Sequence, residues 1–231
     1  RTEPSIPTAS GNCCKSPQPV AEHEFEAQHE FETVSSETIY VGKIFALRAD
    51  EVRMPHDNIA RREVVEHYGA VAVVALGDDN TVMLVYQYRH PLGRRLWELP
   101  AGLLDLGGEP PHLTAARELK EEAGLAASQW RTLVDLDSAP GFSDESVRVY
   151  LATGLTDVGR PEAHDEEADL TLRWIPLDEA VQMVMSGEIV NSIAVGGILA
   201  ARTLADPATL RPVDAPWRDR PTAFMRRKGH R

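Results

Sequence analysis

Apolar and polar positions change period along this chain, and the changes mark its elements. In Thr38–Leu47, Glu51–Met54 and Arg62–His67 they alternate and include β-branched residues, which predicts strands of a small antiparallel sheet. Ala70–Leu76 is continuously apolar, the pattern of a strand buried on both faces. Asp78-Asp79-Asn80 predicts a turn, with Thr81–Tyr88 as the hairpin partner of that strand. Leu96–Leu99 reads as a short strand ending at Pro100-Ala101-Gly102. Pro110-Pro111 can open a helix, because a first turn needs no backbone donors, and Gly124 can close it. Trp130–Asp137, Ser146–Ala152 and Leu170–Ile175 predict further strands. Asp178–Met185 predicts a helix closed by Gly187, and Ser192–Leu204 a last one. Strands interleaved with helices place the chain in the α/β class.

The two ends break this pattern. Residues 1–22 are rich in Ser, Pro, Thr and Gly and predict a disordered tail. Residues 206–231 read as a second, basic tail: from Arg211 onward seven Lys or Arg stand against two Asp, with prolines between them. That leaves residues 23–68 for the small sheet and 69–205 for a main domain, within a chain of 231 residues. A 45-residue sheet with few large apolar residues is marginal alone, so packing on a second copy is expected.

Charge and cysteine count narrow the classes. Lys and Arg total 24 against 36 Asp and Glu, a net charge of −12. This argues against a nucleic-acid binder, which carries a basic footprint. An anionic substrate would need local cations to offset the field. The two cysteines, Cys13 and Cys14, are adjacent, which excludes a disulfide framework and leaves no second thiol pair for a zinc site. A reducing, cytoplasmic setting is expected. No apolar run reaches the ~18–20 residues that span a bilayer, and the first residues lack the apolar stretch of a signal peptide.

The segment richest in chemistry is Gly102–Leu125, GLLDLGGEPPHLTAARELKEEAGL. On a helix, Glu118, Glu121 and Glu122 project from one side while Ala115, Ala116 and Leu119 form an apolar face. Such carboxylates repel by a few tenths of a kcal/mol per exposed pair. In a partly buried cleft this grows to about 4 kcal/mol at ~4 Å. Two readings follow: a solvated helix face, or ligands for a hard divalent cation, which favours carboxylate oxygens, waters and substrate phosphates. Arg117 can tether carboxylates without being a ligand. Gly102, Gly107 and Gly108 permit tight backbone near a ligand. Ser143-Asp144 with a distant His lacks the G-x-S-x-G elbow of a hydrolase triad.

Glu109, seven residues, then Arg117-Glu118-Leu119-Lys120-Glu121-Glu122-Ala123-Gly124-Leu125 resembles the Nudix box. Gly102 to Glu109 encloses six residues where the family usually has five. The resemblance covers roughly 69–204, and resemblance to the ADP-ribose pyrophosphatase branch extends over 24–68. Pro140, fifteen residues past Leu125, and the Glu98-Leu99-Pro100-Ala101-Gly102 segment are marks of that branch. It implies a Nudix-type α/β/α sandwich with a mixed sheet, a small N-terminal antiparallel sheet, and a homodimer built through that sheet.

The implied activity is Mg²⁺-dependent hydrolysis of the diphosphate of ADP-ribose to AMP and ribose 5-phosphate, with Mn²⁺ an alternative ion. Other readings are another nucleoside diphosphate sugar or dinucleotide as substrate, and a non-catalytic sensor that has normally lost its box glutamates. By resemblance, Glu118, Glu121, Glu122 and the Ala101 carbonyl are metal ligands, and Glu166-Glu167-Ala168-Asp169 resembles an acidic loop carrying a catalytic base. Glu167 is the first choice for that base and a possible ligand, with Glu166 close behind. Glu145 would face the terminal ribose or a metal-bound water. Arg62, Arg89 and Glu98 lie in segments that resemble phosphate- and sugar-holding parts of the branch; a guanidinium pairs bidentately with phosphate oxygens. Trp97 reads as core or interface.

Overall fold

The computed structural model of the chain describes residues 29–161 and 169–229. The expected tail at 1–22 and the acidic loop holding Glu166 and Glu167 lie outside the described residues. Strands β1 (Thr33–Val41), β2 (Phe45–Arg53) and β3 (Ile59–His67) form the N-terminal antiparallel sheet in the order β1-β2-β3. Tyr68 and Gly69 connect it to β4 (Ala70–Ala75). Gly69 takes φ 77°, and a Cβ there would lie 2.8 Å from Pro221, so a side chain is doubly excluded.

The main domain has two sheets. The mixed one runs β7 (Ala101–Leu103), β4, β9 (Ser146–Asp157), β8 (Leu125–Asp137), with β4 parallel to β9 and the other pairs antiparallel. The second is antiparallel: β10 (Thr171–Pro176), β5 (Thr81–Arg89), β6 (Arg94–Glu98). The turn at 77–80 forms as expected, with Gly77 N–H donating to the Thr81 carbonyl at 2.8 Å. The strands it joins do not stay paired. A single bridge, Leu76 to Val82, survives before β5 leaves for the other sheet. A strand has two edges, and those of β4 are taken by β7 and β9.

The pattern of β4 explains the sandwich. Its Ala70, Ala72 and Val74 pack with α2 (Leu177–Met185) and α3 (Ser192–Thr203) through Leu177, Ala180, Met183, Ala194, Ile198 and Ala201. The alternate residues Val71, Val73 and Ala75 pack with Ala115, Leu119 and Ala123 of α1 (Pro111–Ala123). Every β4 residue is buried, and its valines each contribute about 1.5–3 kcal/mol of transfer free energy. Pro111 sits in the first turn of α1, and Gly124 ends it in the left-handed region at φ 69°, donating its N–H to the Lys120 carbonyl at 3.0 Å.

The C-terminal segment corrects the reading of 206–231 as a solvated tail. From Arg211 to Lys228 it crosses the molecule as a strap. Thr132 donates its N–H to the Arg211 carbonyl (3.1 Å) and its Oγ1 to the Pro212 carbonyl (2.9 Å). Buried Arg148 on β9 donates to the carbonyls of Ala215 (2.6 Å) and Pro216 (3.0 Å) and lies over the Trp217 ring. Short helix α4 (Ala223–Arg227) then inserts Phe224, fully buried, between Ala46 and Tyr68 of the N-terminal part. Arg227 forks onto Glu66 at 2.7 and 2.9 Å. A charge count suggested solvent here; paired charges and two aromatic anchors, Trp217 and Phe224, hold the segment instead. Among the described residues no helix is long and apolar enough to cross a membrane.

Candidate active site

Helix α1 buries Ala115, Leu119 and Ala123 against β4, and that choice of face fixes where its acids point. Glu122 turns back against β7, accepting the Ala101 N–H at 3.0 Å, and is itself buried. Glu118 lies against Gly102: a Cβ there would be 2.1 Å from its carboxyl carbon. Glycine is therefore required for that carboxylate to rest on the β7 backbone. The β7 backbone at Ala101 and Gly102 and the carboxylates of Glu118 and Glu122 thus lie against one another.

Arg117 organises the remaining acids. Its Nη1 donates to Glu118 at 2.7 Å and to Glu121 at 3.0 Å, and its Nη2 to Glu109 at 3.4 Å. The Thr114 hydroxyl also donates to Glu109, at 2.7 Å. The titration behaviour follows. Burial pushes the Glu118 carboxyl above its ordinary value; Arg117 opposes this, while Glu121 and Asp105 add to it. The Thr114 hydroxyl holds Glu109 below its ordinary value, with help from Arg117 and against burial. Burial disfavours charge on Arg117, but Glu118, Glu109 and Glu121 outweigh it and keep the guanidinium firmly protonated. One cation thus serves three carboxylates.

Among the described residues no group of three or more His, Cys, Asp or Glu is already gathered around a point where an ion could sit. Glu118 and Glu121 meet on one nitrogen of Arg117, while Glu122 is turned to the Ala101 N–H. The donor chemistry nevertheless fits a hard divalent cation: carboxylate oxygens and a strand carbonyl, with no thiol or imidazole among them, beside a glycine that clears the space.

Arg89 and Glu98, both expected at the substrate, are brought together on β5 and β6. Arg89 forks onto Glu98 with Nε at 3.0 Å and Nη2 at 2.7 Å, and Gln87 donates to the same carboxylate at 3.2 Å. Glu98 is buried and half of Arg89 is accessible. Arg62 stays within the N-terminal part, donating to the Arg61 carbonyl (3.0 Å) and reaching the Met54 sulfur (3.9 Å). Glu145 sits just before β9, held by the Ser138 hydroxyl, with His67 Nδ1 3.4 Å from its other oxygen. Trp97 packs against the core with its ring tilted against Tyr86, in keeping with the reading of core or interface.

Comparison with known proteins decides the family. The NUDIX domain family matches residues 66–191, more than half of the chain. This chain belongs to the Nudix family.

The family described as the nucleoside diphosphate sugar hydrolase N-terminal domain matches residues 31–65, the N-terminal sheet of this Nudix chain. An ADP-ribose pyrophosphatase of Mycobacterium tuberculosis is 66% identical over 206 residues, 89% of this chain and 100% of that protein. A methanol dehydrogenase activator of Bacillus methanolicus is 39% identical, covering 71% of this chain and 88% of its own length. A crystal structure described as an ADP compounds hydrolase superimposes with a TM-score of 0.66 at 19% identity, over 77% of this chain and 95% of that one. That last likeness shows the fold alone. The resemblance read from the box therefore holds across the domain, and so does the mixed α/β architecture with its separate N-terminal sheet.

Several further side chains partner the residues expected at the site. Gln87, Thr114 and Ser138 each donate to a carboxylate already singled out, and His67 lies beside one. Asp105 acts on Glu118 through its charge alone. Thr114 shares the helix with Arg117 and could have been paired with Glu109 on spacing. Gln87 meets Glu98 across the β5–β6 pairing, and Ser138, His67 and Asp105 meet theirs through loops, which no local pattern announces.

Proposed function

We propose that this Nudix chain hydrolyses the diphosphate of ADP-ribose, giving AMP and ribose 5-phosphate, with Mg²⁺ or Mn²⁺ as cofactor. The observation that carries the reading is the 66% identity with an ADP-ribose pyrophosphatase over that relative's full length. The acids of α1 lying against β7 support it.

Glu118, Glu121, Glu122 and the Ala101 carbonyl would hold the ions. The chemistry such ions supply is neutralisation of the diphosphate and acidification of the attacking water. The residues of the chain do the rest. Arg117, which now neutralises Glu118 and Glu121, keeps them in place until a cation takes them over. Arg89 donates to the phosphates, its plane set by the fork onto Glu98. Arg62 serves the phosphates or sugar. Glu145 faces the terminal ribose or the water. Glu167, or failing it Glu166, accepts the water's proton. The water oxygen bonds to one phosphorus while the bridging oxygen leaves with the other phosphate, so one molecule of water is consumed per turnover.

A homodimer is part of the proposal. All nine residues of β1 are exposed, including Val34, Ile39, Tyr40 and Val41, with Ile44 and Phe45 beside them. An open strand edge flanked by apolar residues favours a second copy over solvent. Sedimentation should find two chains per particle.

The decisive experiment is product analysis of ADP-ribose incubated with the protein, with and without Mg²⁺, beside ADP-glucose, NADH and diadenosine polyphosphates. AMP and ribose 5-phosphate formed fastest from ADP-ribose, only with metal, is the expected result. A faster reaction with another member of the panel moves the substrate assignment, and metal-free turnover refutes the mechanism.

A further inference from the structure

Residues 142–144 are built into a sheet they do not belong to. In the order β1-β2-β3, strand β3 has an open edge, and Val65 and His67 point their N–H groups along it. Val65 donates to the Phe142 carbonyl at 2.7 Å. Its own carbonyl accepts the Asp144 N–H at 3.1 Å and the Ser143 hydroxyl at 3.2 Å. Val65 and Ser143 form a parallel bridge. The next donor along the edge, His67 N–H, is taken by the Asp144 carboxylate at 2.7 Å. A side chain here continues a ladder that the backbone has begun.

Glu145 is the residue that follows. Its N–H donates to the Ser143 hydroxyl at 3.1 Å, and its carbonyl accepts the Ser138 N–H at 3.2 Å. Its carboxylate lies between the Ser138 hydroxyl and the His67 ring. The N-terminal sheet is itself fixed to the main domain, because Phe224 fills the space between Ala46 and Tyr68 and Arg227 grips Glu66. The direction in which Glu145 leaves the loop is therefore set by β3 on one side and Ser138 on the other.

We propose that Asp144 is a positioning residue for the hydrolytic reaction: by accepting the His67 N–H it locks the loop onto β3 and so aims Glu145. This rests on the reading of Glu145 as part of the active site. A misplacement of about 1 Å in a positioned group can lower turnover about 100-fold, so loss of one such anchor has a readable effect. What Asp144 supplies is an acceptor oxygen, which an asparagine also carries.

The test compares D144A, D144N, E145Q and the D144A/E145Q double variant on ADP-ribose with Mg²⁺, alongside amide exchange at His67. D144A should lower kcat about 10- to 100-fold, leaving KM within about threefold. D144N should restore most of kcat, and the double variant should be no slower than E145Q alone, since both changes disable one group. Wild-type kcat in D144A, no rescue in D144N, or fully multiplied losses in the double variant overturn the proposal. If E145Q turns over like wild type, the reading of Glu145 falls, and exchange at His67 decides the lock by itself. Faster exchange in D144A but not in D144N upholds it; equal rates refute it. Should D144A not fold, S143A removes a neighbouring member of the same lock. A smaller kcat loss in the same direction supports the proposal, and a wild-type kcat contradicts it.

Discussion

Two regions of this molecule use the same residue types in opposite ratios. At α1, the single guanidinium of Arg117 serves Glu109, Glu118 and Glu121. At the strap the ratio is reversed. Asp135 lies between Arg148 and Arg211, both at 2.7 Å, while Glu66 pairs with Arg227 at 2.7 Å and shares Arg48, at 3.0 Å, with Asp50. A carboxylate with two cationic partners is satisfied and structural. Three carboxylates sharing one cation are not, and in a partly buried site the excess is unfavourable until more positive charge arrives. The partner ratio, rather than the count of charged residues, separates the region that holds the fold together from the one suited to metal and phosphate chemistry.

The largest effect that would sharpen this comparison is E122Q. A glutamine oxygen can still accept the Ala101 N–H, so the fold should persist while Mg²⁺-dependent turnover drops about a thousandfold, the several kcal/mol a metal supplies. Turnover within about tenfold of wild type would place the metal elsewhere.

At the strap the matching change should cost stability instead. Phe224 is fully buried, and F224A should destabilise the chain by about 3–5 kcal/mol. Calorimetry should record a fall in Tm of about 10 °C. A Tm shift below about 2 °C would mean that the segment is a passive tail after all.

The smallest effect concerns acid. Burial raises Asp135, but Arg148 and Arg211 outweigh it and hold the carboxyl below its ordinary value of 3.8. A depressed carboxylate contributes stability that is fully present above its unfolded pKa and is lost as pH falls through the lower folded one. D135N should therefore flatten the acid limb of a stability–pH curve below about pH 4. An unchanged limb would show that Asp135 is not part of that balance.

What could be read in advance was local. The start and stop of α1 follow from Pro111 and Gly124, whose backbone preferences act within one turn. The uninterrupted apolar run of β4 announced a strand covered on both sides, because burial on two faces removes alternation. The box acids were legible because a helix converts spacing into a common face. What escaped notice depends on who else competes for an edge or a cavity. Strand β5 was expected beside β4, and nothing in its own sequence says that β7 and β9 occupy both edges. Phe224 is one aromatic residue in a basic stretch, and its cavity is made by Ala46 and Tyr68, far away in sequence. Arg89 and Glu98 were each assigned to the substrate; Arg89 stands opposite Arg94 and Glu98 opposite Val85, and only the long guanidinium side chain brings the two together. Asp144 meets His67 across 77 positions, a pairing without a local signature.

The central claim is that the surplus of acids on α1 takes up divalent cations that carry the diphosphate. Electron paramagnetic resonance of free Mn²⁺, titrated with the protein in the presence of a non-hydrolysable ADP-ribose analogue, tests it directly. Wild type should remove Mn²⁺ from the free signal, and E118Q and E122Q should each weaken that uptake about tenfold or more. Equal uptake by all three proteins would contradict the account.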